Sequence, residues 1–136
     1  PSNWNMPSKV GQSVETLHNP VPGYKKGMSD RVNKSLSGLK PSKPLQRLNW
    51  SIQPGGELFW RSDVNNYEDN TEKYWRVERQ TLIRLPDTKA IVFGIRVFLH
   101  SFSEMSRYPH FNQSLFEIIE ALPHVEAKYK NLTQTN

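Results

Sequence analysis

The chain has 136 residues and carries 18 Lys and Arg against 13 Asp and Glu, a formal charge of +5. The length suits a single domain over 1–136, and the cations are scattered with no run of five, so the pattern reads as solvated surface and argues against a nucleic-acid partner. Having no cysteine excludes disulfides, thiolate metal sites and thiol nucleophiles, and fits a reducing, cytoplasmic setting.

Ten prolines and a mean hydropathy of −0.72 mark a loop-rich chain. It opens on Pro1-Ser2-Asn3-Trp4 rather than Met, which we read as a piece of something longer. Over residues 1–27, Pro7, Gly11, Pro20, Pro22, Gly23 and Gly27 leave room only for a short strand or turn around Val14 to Leu17. Ser29 can cap a helix whose apolar positions Val32, Leu36 and Leu39 share one face, with Pro41 stopping it near Lys40. After the Pro41–Pro44 breaker, 45–52 (LQRLNWSI) reads as a strand closed by Pro54-Gly55-Gly56, and 63–72 is polar and expected to be exposed.

The strongest local pattern comes next. Residues 73–85 (KYWRVERQTLIRL) put Trp75, Val77, Thr81 and Ile83 on one side and Tyr74, Arg76, Glu78 and Gln80 on the other. Pro86-Asp87-Thr88-Lys89 turns this strand into 90–100 (AIVFGIRVFLH), whose two apolar faces predict a central strand. This second strand is also the longest apolar run, and Gly94 and Arg96 break it too early for a membrane span. Leu115, Ile118, Ile119 and Leu122 then define a helix stopped by Pro123, and the tail from Asn131 reads as frayed. Four Asn-X-Ser/Thr triplets, at Asn33, Asn49, Asn112 and Asn131, are what chance gives in a chain rich in Asn and Ser.

Few residues offer chemistry. No GxSxG, GxGxxG, phosphate loop or HExxH is present, so four histidines carry most of the interest. His18 precedes Asn19-Pro20-Val21-Pro22, a rigid setting that suits either a metal ligand or an ordinary capping residue. His100, His110 and His124 lie at the ends of elements and read as solvated. Arg76, Glu78 and Arg79 interrupt a strand suited to burial; they form either a cross-strand ion network, with Glu78 bridging Arg76 and Arg96, or guanidiniums that grip carboxylates. Gly94 marks a bulge or a place where a flat ligand meets backbone.

Several segments in order resemble one family: PSNW with Lys9 and Gly11, LHNPVPGY ending at Tyr24, RLNWSI from Arg47, WRVERQTLIRLP from Trp75 continued by AIVFGIRVFL, and AKYKNL from Ala127. Together they resemble the alpha-subunit-like proteins of the haem-dependent oxidative N-demethylases. The resemblance implies an α+β fold, a PAS-like antiparallel sheet with flanking helices that is incomplete at its N-terminus. It also implies haem b held by His18, in the matching HxPVP segment, with Arg76, Arg79 and Arg96 as candidates for the cofactor's carboxylates. The implied reaction is a monooxygenase-type oxidation of a small alkylamine such as dimethylamine, consuming oxygen and releasing formaldehyde, with electrons from a flavin and iron–sulfur reductase subunit. Trp50 or Tyr24 could face the substrate ammonium. The alternative from another class is a haem-binding or gas-sensing PAS-like module without turnover.

Overall fold

A computed structural model describes residues 5–60, 68, 70–130 and 132. The PSNW opening, most of the polar 63–72 segment and nearly all of the tail from Asn131 lie outside the described residues. Three long strands, β1 (Leu45–Pro54), β2 (Lys73–Arg84) and β3 (Ile91–Ser101), form an antiparallel sheet in the order β1-β2-β3. Helices α1 (Val14–Leu17) and α2 (Met28–Gly38) precede the sheet; α3 (Phe102–Met105), α4 (Pro109–Ala121) and α5 (His124–Tyr129) follow it. This is an α+β fold built on an antiparallel sheet with flanking helices. No helix among the described residues is long and apolar enough to cross a membrane.

The middle strand is β2, not β3. The two apolar faces of 90–100 predicted a central strand, but among the described residues β3 pairs on one side only, and Val92 and Phe93 are exposed. Apolarity on both faces therefore does not report burial on both edges. The buried side of β2 is also the polar one: Arg76, Glu78 and Gln80 are each 4% exposed, while Ile83 on the opposite side is 41% exposed. Among the described residues, four polar side chains (Gln53, Arg76, Glu78, Gln80) are buried beside four apolar ones (Tyr24, Leu39, Ile52, Ala127). Hydrogen bonding must accordingly carry a large share of this interior.

Two compact units divide the chain. One comprises Lys9–Asn49 and Glu78–Arg96. Here Ser13 caps α1, its Oγ accepting the Thr16 amide at 3.1 Å, which converts the expected strand or turn into one helical turn. Helix α2 begins after Gly27, whose φ of 143° suits glycine, so Ser29 lies inside the helix rather than capping it. Its far end is closed by Arg84, which donates through Nε to the Leu39 carbonyl at 2.7 Å and through Nη2 to Leu36 at 2.6 Å. A cation on the last carbonyls also complements the helix dipole. The third Arg84 donor, Nη1, reaches the Lys89 carbonyl at 2.7 Å and ties down the β2–β3 turn, where Lys89 takes a φ of 60°. Gly94 has a packing reason: a Cβ there would sit 2.8 Å from Oγ1 of the cross-strand Thr81.

The other unit comprises Pro1–Ser8, Trp50–Val77 and Val97–Asn136. Helix α4 starts at Pro109, earlier than the apolar spacing alone indicated, because proline suits a first helical turn. Phe111 on its first turn packs on Trp75 at 5.3 Å and edge-on against Phe102 at 5.9 Å. Ala127, Lys128 and Tyr129 of the AKYKNL segment form the end of α5, with Lys130 as its C-cap. Buried Ala127 allows close approach there, and the Ile52 amide donates to the Lys130 carbonyl at 3.1 Å. Of the four Asn-X-Ser/Thr triplets, Asn33, Asn49 and Asn112 sit within α2, β1 and α4, and Asn131 is outside the described residues.

Candidate functional site

His18 is the C-cap of α1, and the chain after it folds back in two linked turns. The Val21 amide donates to the His18 carbonyl at 2.8 Å, and the Tyr24 amide to the Val21 carbonyl at 3.2 Å. Pro20 and Pro22 fix φ between these bonds, and Gly23 supplies the left-handed φ of 72° that completes the reversal. The result sets the Tyr24 ring flat on the imidazole, with centroids 4.6 Å apart and planes 10° apart.

The imidazole is held by a second contact. His18 Nδ1 lies 2.7 Å from the Val14 carbonyl oxygen, which has no proton to give, so Nδ1 is the donor. Nε2 is then the nitrogen with the free lone pair. An imidazole whose one N–H binds a backbone carbonyl while the other nitrogen is left basic is the usual state of a metal-ligating histidine. His18 is half-buried.

Tyr24 is 2% exposed, and among the described residues its hydroxyl has no hydrogen-bond partner. Burial pushes the phenol above its usual value of 10.0, and the Glu15 carboxylate adds to the shift, so the hydroxyl is a donor at neutral pH. These features fit a haem: a constrained imidazole with one free nitrogen, and a buried donor in want of an acceptor. No three His, Cys, Asp or Glu among the described residues gather to hold a bare metal ion.

The arginines occupy different surroundings. Arg76 is buried, and its Nη1 donates to Gln53 Oε1 and to the Leu58 carbonyl, both at 3.0 Å. Gln53 Nε2 in turn donates to the carbonyls of Gly55 and Glu57 at 3.0 and 2.9 Å, so this guanidinium and amide organise the turn after β1. Arg79 and Arg96 are exposed. Glu78 accepts from Gln80 Nε2 at 2.9 Å, and Gln80 Oε1 accepts from Arg47 Nε at 2.7 Å, a chain of bonds along the buried side of β2. Arg47 and Gln53 were not legible as members of this polar row, because only the pairing of β1 with β2 brings them there.

Trp50 already carries a cation. Lys130 Nζ lies 4.5 Å from its ring centroid and donates to its carbonyl at 2.8 Å, so this face is taken by the chain's own ammonium. His100 lies 6.4 Å from Trp75 in a tilted aromatic contact.

The chain is 30% identical over 84 residues, 60% of its length, to a protein of Oryza sativa subsp. japonica described as a probable subunit of the V-type proton ATPase; it spans 18% of that relative's length. A family match runs from residue 1 to residue 136 and takes in both the HxPVP turn that bears His18 and the β2–β3 ribbon. On that match the chain belongs to the family described as haem-dependent oxidative N-demethylase, alpha subunit-like.

Proposed function

We propose that this chain is the haem-holding part of an oxidative N-demethylase, with His18 Nε2 as the axial ligand. The observation that carries the reading is the Nδ1 contact with the Val14 carbonyl, which leaves Nε2 basic while the Tyr24 ring restrains the imidazole plane. Haem b, when bound, supplies the oxygen-activating chemistry that oxidises an N-methyl group of a small alkylamine such as dimethylamine and releases it as formaldehyde. The chain's own part is to fix the ligand, exclude water from one side of it and place cations near the cofactor's carboxylates. We assign that last role to Arg79 and Arg96, which are exposed in the same unit as His18. Arg76, which is buried, serves the fold. Electrons are assigned to a reductase subunit bearing flavin and iron–sulfur centres, because this chain holds no cysteine to ligate a cluster.

The test is a titration of haem b into wild-type protein and His18→Ala. Wild type is expected to give a shifted Soret band typical of imidazole ligation; His18→Ala should lose it and recover it when free imidazole is added. Equal spectra for both proteins would remove His18 as the ligand. Dimethylamine, oxygen and a chemical reductant are then added to the loaded protein and formaldehyde is assayed. Haem binding without formaldehyde would favour the gas-sensing alternative.

A further inference from the structure

The Tyr24 hydroxyl is unexplained by packing. Phenylalanine would supply the same ring, with the same stack on His18, and would avoid burying an unpartnered O–H, which costs stability. The indole N–H groups of Trp60 and Trp75 are also buried without partners, but an indole N–H accompanies a ring whose large buried area no smaller residue replaces. At Tyr24 the polar atom is separable from the ring. It also belongs to the residue that touches the imidazole, one bond beyond the stacked ring.

We infer that the Tyr24 hydroxyl is a binding group that donates a hydrogen bond to a carboxylate of the haem held by His18. The inference rests on the haem reading above. A haem offers two carboxylates at its edge as its strong acceptors, and an ionised acceptor is the partner that best offsets the cost of a desolvated O–H. The site is thereby unsatisfied when empty and satisfied when filled, so the same atom should weaken the haem-free protein and strengthen the loaded one.

Two proteins, wild type and Tyr24→Phe, and two probes, haem b and its dimethyl ester, test this. Without haem, Tyr24→Phe is expected to melt about 3 °C or more above wild type. With haem b, Tyr24→Phe should bind roughly tenfold more weakly while keeping the same imidazole-ligated spectrum. With the dimethyl ester, the two proteins should bind within about twofold of each other. Equal affinity of the two proteins for haem b would overturn the inference, as would a difference that persists with the ester. A wild-type protein that shows no imidazole-ligated spectrum would instead sink the haem reading itself, a result distinct from either.

Discussion

Two polar sites, Arg76 in one unit and His18 with Tyr24 in the other, are treated in opposite ways. Around Arg76, the guanidinium, the Gln53 amide and the carbonyls of Gly55, Glu57 and Leu58 satisfy one another. Around His18, the geometry constrains the ring but leaves Nε2 and the Tyr24 hydroxyl without partners among the described residues. A buried polar group whose bonds are met holds the fold; one that is positioned and left unmet is ready for something else.

That contrast can be broken by mutation. Arg76→Met should cost the most stability, on the order of 3 kcal/mol or more in urea unfolding, because the Gln53 amide and a carbonyl lose their donor inside the protein. Arg84→Met should cost about 2 kcal/mol, since three carbonyls at the end of α2 and in the β2–β3 turn lose one charged donor. Gly94→Ala should cost roughly 1 to 2 kcal/mol, and Thr81→Ala in the same chain should recover most of it by removing the hydroxyl that the new Cβ meets. His18→Ala should cost under about 1 kcal/mol, because the ring is only half-buried, while abolishing the haem spectrum. A large loss of stability from His18→Ala together with a small one from Arg76→Met would reverse the assignment of roles.

The smallest effect concerns pH. Hydrogen bonds from the Ser103 hydroxyl and amide hold the exposed Glu72 carboxyl below its ordinary 4.5. A folded-state value below the unfolded one stabilises the protein above about pH 4.5, and the benefit fades as pH falls through the lowered value. Ser103→Ala should therefore lower the melting temperature slightly at neutral pH, and its difference from wild type should shrink as pH falls below about 4.5.

Much of the fold could be read from residue order. Period-2 alternation located β2, a continuous apolar run located β3, the Pro86–Lys89 turn joined them, and the spacing of Val32, Leu36 and Leu39 located α2. The side of β2 that is buried could not be read, since alternation placed the apolar residues on the face that turned out more open. Gln53 and Arg47, partners for Arg76 and Gln80, come from β1, far away in sequence, and help make burial of that face tolerable. The single turn of α1 and the short α5 are below the length at which periodicity registers. His18 stood out through its prolines. Its pairing with Tyr24 did not, because it depends on two consecutive turns and a left-handed Gly23.

The central claim is that the fold presents His18 Nε2 as a free, basic nitrogen. Nitrogen-15 correlation spectra of the histidine rings in haem-free protein, recorded above about pH 8 where an ordinary imidazole is neutral, test it directly. The account predicts that His18 carries its proton on Nδ1, with Nε2 at the shift of an unprotonated ring nitrogen. A His18 ring protonated on Nε2 would contradict it.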